Sequence, residues 1–357
     1  MATTTSSIYA SYTQQVAIYV GFPVLIAGII GETLNIIVFM SLHTFRQNSC
    51  AFYLLIMSCV NIGQLLTGLF PLIVMTGFGI DWTTDSLFYC KFRQYCRQVC
   101  ALISLSCFCF ATTDQFLATC FRPYFQKWSN IKIARRLCII TSVIWILHGI
   151  PCLIYFSLIP SSATARPSCT ITNQVFSKYY TYCYTAVFTG YLPVSVVALF
   201  GTLAYYNVQR IEYRTRPLVR PVFTGYLPVS VVALFGTLAY YNVQRIEYRT
   251  RPLVRRELDK QLTVMVLILD IYNIIALLPY PVILVLISVT TITKNPIIAQ
   301  QISFVSSLTS YTYFSYFACP FYIYICTSER FRRQLFHVLF KIHLERWRRR
   351  KVVAPLT

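Results

Sequence analysis

Long apolar runs, separated by short polar and basic stretches, dominate the chain. They fall near residues 16–41, 51–76, 94–120, 136–159, 180–207, 259–288 and 299–326. Each has the length, roughly 20 residues, that a helix needs to cross a bilayer. A barrel strand crosses in about 10 residues and alternates between lipid and lumen, so these runs are too long and too continuous for a barrel. Helices satisfy their own backbone hydrogen bonds inside hydrocarbon. The pattern therefore predicts an all-α fold, a seven-transmembrane helix bundle. Beyond the last run, Phe331, Leu335 and Leu339 recur at i, i+4 and i+8. That period predicts a short amphipathic helix lying along the membrane surface.

An eighth apolar run, 222–241, belongs to a copied segment. Residues 187–220 recur without one change at 222–255, with only Pro221 between them. Repeat architectures show degenerate similarity over more than two units. Identity over 34 residues therefore marks either a very recent duplication or an assembly error in the sequence.

Charge placement argues against a crossing by the copy. With seven spans and the N-terminus outside, the inner segments hold Arg46, the basic residues of 122–136 and 210–260, and those of the tail from Arg330 to Lys351. The outer segments and the adjoining helix top hold only Lys91, Arg93, Arg97, Arg166, Lys178 and Lys294. An eighth crossing moves the basic tail outside, against the positive-inside bias.

The expected organisation is a short extracellular N-terminus at 1–15 and a seven-helix transmembrane domain at 16–327. The duplicated segment 222–255 falls in the third inner loop of that domain. An amphipathic helix and basic cytoplasmic tail follow at 328–357. No charge appears before Glu32, so the first run is expected to act as its own insertion signal rather than as a cleaved peptide.

Composition supports the membrane assignment. Only 12% of residues are charged, about half the share usual in soluble domains. A net charge of +20 fits a nucleic-acid binder when the charge lies on one face. Here it sits in short stretches between apolar runs, as in loops facing an acidic inner leaflet. Of the 14 Cys, most lie inside apolar runs and act as small hydrophobes. Cys90 and Cys169 fall where loops face the oxidising side. They either bridge there or are two unrelated thiols.

Several landmarks follow in order: Asn35 in GETLNIIVF, Trp82, Cys90, Asp114-Gln115-Phe116, Trp145, Cys169, Pro193, Pro279, Pro320 and SERFRRQLF. In this order and spacing the chain resembles the rhodopsin-like (class A) G-protein-coupled receptor family, over about 16–342. It also looks like the divergent, invertebrate-type orphan receptors. The resemblance implies a disulfide from Cys90 to Cys169. It implies a receptor at the plasma membrane, with the C-terminus cytoplasmic, that passes binding of an extracellular small ligand or short peptide to a heterotrimeric G protein.

The departures fall on the family's activation relay. Gln115 stands where the family has Arg, and lacks both the charge and the guanidinium fork. Asn61 replaces the span-two Asp, beside Ser104; with Asn35 these form the expected polar core. Leu277 replaces the span-six Trp, and Cys319-Pro320 replaces Asn-Pro. A second reading is therefore a receptor-like decoy or partner protein that no longer signals. A transporter or channel is a third, but no inverted repeat is present.

Polar residues within the spans need partners, because a charge at mid-membrane costs about 2.5–3.5 kcal/mol. Glu32 is assigned first to interfacial water in the outer third of span one. A second assignment puts it beside Asn61 and Ser104. Asp270 is expected to make a bundle-facing hydrogen bond. Arg93 and Arg97, at i and i+4, share one helix face just below Cys90. They are candidates for binding a carboxylate, sulfate or acidic peptide group, or else snorkel to the interface. Tyr280 and Tyr313 are candidate wall residues of the same cavity. No metal-ligand spacing, nucleotide-binding glycine pattern or paired nucleophile occurs, so neither an enzyme nor a cofactor is expected. The last span has no Lys, against a retinal Schiff base.

Overall fold

The computed structural model describes residue 9 and residues 11–41, 43–120, 123–160, 167–215, 253–288 and 296–343. Most of the copied segment, 222–252, and the tail after His343 lie outside these.

Six helices are long and apolar enough to cross a membrane. They are α1 (Ser11–Ser41), α2 (Ser49–Phe78), α3 (Leu87–Thr119), α4 (Ile131–Tyr155), α5 (Gln174–Asn207) and α6 (Leu262–Ile287). The seventh predicted run forms α7 (Pro296–Ala318) and α8 (Pro320–Thr327), divided at Cys319. It is not among the six. Gln300, Gln301 and a series of Ser, Thr and Tyr lower its mean hydropathy. It nonetheless packs against α1, α2 and α6. The amphipathic segment follows as α9 (Glu329–Phe336), whose Phe331 and Leu335 are buried.

Local chemistry sets the helix starts. Asn48, Ser86, Asn130, Asn173 and Ser328 each accept a hydrogen bond from a backbone N–H of the following first turn. These short polar side chains satisfy donors that a helix leaves unpaired. At the end of α2, Gly79 takes a left-handed φ of 69° and its N–H returns to Met75 and Val74 carbonyls. Pro279 supplies no N–H, and the α6 ladder breaks at Leu278 beside it, as expected for a proline kink.

The distribution of polarity is the reverse of that in a soluble protein. Glu32, Asn35, Asn61, Ser104, Asp114, Gln115, Asp270 and Asn273 are buried. Ile139, Ile140, Val143, Ile144 and Leu147 leave the outer face of α4 apolar and exposed. An apolar exterior of that extent suits lipid, not water. The chain is a multi-pass helical membrane protein.

One element was not foreseen. Strands β1 (Phe156–Pro160) and β2 (Pro167–Ile171) form an antiparallel ribbon between α4 and α5, with Leu158 opposite Cys169.

Close helix contacts rest on glycine. A Cβ at Gly28 would lie 2.7 Å from Leu65 and 2.8 Å from the Ala318 Cβ, with the Ala318 backbone at 3.1 Å. Small residues permit such approach where lipid offers no hydrophobic drive between helices. Gly28→Leu is expected to destabilise the bundle by about 1–3 kcal/mol through overpacking. A fall in the thermal midpoint of the detergent-solubilised protein checks this, and an unchanged midpoint contradicts it.

Candidate functional site

At the Cys90 end of the bundle, α2, α3, α5, α6 and α7 surround a cavity of about 390 Å³. Volumes of roughly 300–1,000 Å³ are typical of small-ligand sites. Its wall includes Gln64, Arg97, Tyr180, Tyr184, Tyr280 and Tyr313. Arg97 donates from Nη2 to the Tyr180 hydroxyl at 2.7 Å. The Tyr280 and Tyr313 rings stack with centroids 4.9 Å apart. Among the described residues the one ion pair is the exposed Glu329–Arg333 contact, so no carboxylate there neutralises Arg97. The Gln64 Oε1 is also buried without a hydrogen-bond partner.

Local backbone geometry builds one wall. Residues Tyr180–Tyr191 of α5 form a π-helix, whose wider turn brings Tyr180, Thr185 and Thr189 into one column. Thr185 donates to the Tyr180 carbonyl at 3.0 Å and Thr189 to that of Thr185 at 2.7 Å. π-Helical turns recur at functional sites, but composition gave no sign of this one.

Cys90 and Cys169 lie at disulfide distance, with Cα atoms 5.9 Å apart. They tie β2 to the first turn of α3. Around them Cys152, Phe156 and Phe176 form a separate buried cluster. Phe156 packs edge-on against Tyr180, 5.7 Å between centroids, so the ribbon braces the cavity wall.

Of the four ligand candidates, Arg97, Tyr280 and Tyr313 face this cavity. Arg93 is one turn nearer Cys90, and its Nε donates to the Thr67 carbonyl on α2 at 3.2 Å. Sharing a helix face did not suffice to bring both guanidinium groups into one space. Tyr180 and Tyr184 were missed by sequence reasoning; their i, i+4 spacing in a Tyr-rich stretch was the available signal.

The polar core overturns the first assignment of Glu32. Its carboxylate is fully buried and accepts from Asn35 Nδ2 and Asn61 Nδ2, both at 3.2 Å. Ser104 donates to Asn61 Oδ1 at 2.5 Å, and its hydroxyl lies 3.3 Å from that of Tyr316. A carboxylate on α1 thus stands beside the span-two amide. The physical reason is the close packing around that part of α1: Gly28 and Gly31, which precede Glu32, abut α7 and α8, and the side chain is enclosed in the bundle. Glu32→Leu orphans two buried amide donors and is expected to cost about 1–3 kcal/mol for each. Glu32→Gln keeps one acceptor and should cost less. Thermal midpoints in the order wild type, Gln, Leu support this pairing; a neutral Leu variant contradicts it.

At the other end of α3, Asp114 accepts from Ser49 Oγ at 2.9 and 2.8 Å. Ser49 Oγ also lies 3.2 Å from Ser129 Oγ. Gln115 Oε1 accepts from Thr263 on α6 at 2.6 Å. The Phe116 ring packs against Phe200 of α5, centroids 5.5 Å apart. This triplet thus joins α3 to α2, α5 and α6 by neutral or hydroxyl contacts. No known protein-family model matches the chain, and a search of curated proteins finds no match.

Proposed function

We propose that the protein is a receptor of the rhodopsin-like G-protein-coupled type, at the plasma membrane, whose outer cavity takes an extracellular ligand bearing an anionic group. The observation that carries this reading is Arg97: a cation inside a tyrosine-lined cavity, with no carboxylate partner among the described residues. A half-buried charge without a counter-charge has a place for one, and an incoming carboxylate or sulfate supplies that partner through bidentate hydrogen bonds. The cavity volume suits a small molecule or the end of a short peptide.

Transduction requires a two-state element that ligand binding biases. The Gln115–Thr263 hydrogen bond joins α3 to α6 at the opposite end, where opening of α6 away from α3 makes room for a G protein. This contact joins a hydroxyl to a neutral amide, where the family has an arginine at the Gln115 position. The same observation favours a second reading, a receptor-like partner that binds ligand without signalling, because Gln115 offers no cation to a G protein.

Cells expressing the full chain and a panel of G-protein dissociation sensors distinguish the two. Challenge with pools of small acids and short peptides, each beside its amidated or esterified form, is expected to give responses confined to the anionic members. Saturable binding of an anionic member with no response from any sensor supports the partner reading. Responses indifferent to ligand charge overturn the role of Arg97.

A further inference from the structure

A second cavity, of about 170 Å³, lies between α5 and α6, nearer the Asp114 end. Ala198, Thr202 and Tyr206 on its rim are exposed, and Leu203 and Ile275 nearby are exposed apolar residues. In a membrane-spanning chain this mouth opens sideways into lipid. Its floor is polar. Asp270 is 4% exposed; Oδ1 accepts from Thr112 on α3 at 2.8 Å, and Oδ2 has no hydrogen-bond partner.

Gly201 makes the slot. A Cβ there would come within 2.9 Å of Asp270 Oδ2, so that oxygen packs against the bare Gly201 backbone and is itself enclosed beneath the crevice floor that Asp270 helps to form. The Thr202 hydroxyl does not compete for it, being donated to the Ala198 carbonyl at 2.5 Å. A buried carboxyl oxygen left unmatched inside hydrocarbon is costly, and such an orphan in a cavity calls for an explanation.

We propose that this crevice binds, from the bilayer, an amphiphile with one hydrogen-bond-donor head on a compact apolar body, the head donating to Asp270 Oδ2. A cavity near 150 Å³ accommodates a single six-membered ring, so one ring and its donor fill the slot while the rest of the molecule stays in lipid. The shared chemistry is an apolar ring or chain end carrying a hydroxyl, as in a sterol, or an ammonium, as in a long-chain amine. No ordinary two-tailed phospholipid head fits that volume. This site is separate from the Arg97 cavity and does not depend on the receptor reading.

The test uses the full-length protein in nanodiscs and two photoactivatable probes, a diazirine sterol and a diazirine long-chain amine, with labelled peptides located by mass spectrometry. Labelling of the tryptic peptide 179–210, which differs in length from the fragment carrying the copied segment 222–255, or of peptides containing 267–274 is expected, competed by the unlabelled parent amphiphile. Labelling by the sterol alone assigns a hydroxyl head, and labelling by the amine alone an ammonium. Asp270→Asn keeps the shape but substitutes a donor on one side, and is expected to cut crevice labelling several-fold. Gly201→Leu fills the slot and should abolish it. Because Gly201→Leu presses on Asp270 and can prevent folding, Ala198→Phe is made in parallel; it covers the mouth from the lipid side without entering the core. Crevice labelling unchanged in both Asp270→Asn and Ala198→Phe, or no crevice labelling above background by either probe, overturns the proposal.

Discussion

Replacing Arg97 with glutamine is expected to lower the potency of an anionic agonist by roughly 30-fold to several thousand-fold. Truncating one member of a buried, hydrogen-bonded charge pair costs about 2–5 kcal/mol in comparable interfaces. The loss is expected because Arg97, set among Tyr180, Tyr184, Tyr280 and Tyr313, is the cation of that cavity wall. Arg97→Lys keeps the charge but loses the planar fork that also holds Tyr180, and its effect should be intermediate. The diagnostic comparison is a double-mutant cycle with the ligand. Amidating the agonist should cost potency on the wild type and almost nothing further on Arg97→Gln. Equal losses on both proteins would show that the ligand's acidic group binds elsewhere. Arg93 serves as the internal contrast. It is bound to the Thr67 carbonyl, so Arg93→Gln should leave the charge preference unchanged.

The second large effect belongs to the Cys90–Cys169 pair. It closes a sequence separation of 79, and loss of a native disulfide costs about 2–5 kcal/mol. Cys90→Ser should therefore lower the thermal midpoint of the detergent-solubilised protein by several degrees and reduce the monodisperse fraction. The damage should be local to the ribbon and its cluster of Cys152, Phe156 and Phe176, and should reach the Arg97 cavity through Tyr180. Cys169→Ser should match Cys90→Ser, and the double variant should be no worse than either alone. A reductant should shift the wild type toward the variants and leave the variants unmoved. Additive losses in the double variant would mean that the two thiols act separately.

Much of the helical architecture is legible in the sequence because a helix in lipid is governed by length and hydropathy. The runs that became α1 to α6 needed no tertiary information. The run over α7 and α8 was equally visible as a helix, but its many hydroxyl side chains make it a weaker membrane segment by composition alone. Which face a side chain takes is a different matter. Glu32 was assigned to the interface because depth along a helix can be counted, whereas the closeness of α1 to α7 depends on Gly28 and Gly31 meeting Ala318 and Phe321. Arg93 and Arg97 share a face by spacing, yet Thr67 captures one guanidinium and Tyr180 the other. The π-helix of α5 left no compositional trace, since it is defined by backbone geometry and the Tyr180–Tyr191 sequence carries no residue type peculiar to it. The ribbon escaped notice because its strands are short and lie beside a proline-bounded loop.

In the proposed topology an odd number of crossings puts the Arg97 cavity outside the cell and the Gln115–Thr263 contact inside. Epitope tags at the two termini test it in one experiment on the full chain expressed in cells. An antibody is expected to reach the N-terminal tag in intact cells and the C-terminal tag only after permeabilisation. Antibody binding to both tags in intact cells would mean an even number of crossings, with the basic tail outside. A G protein could not then meet the segment after α8, and the receptor reading would fall.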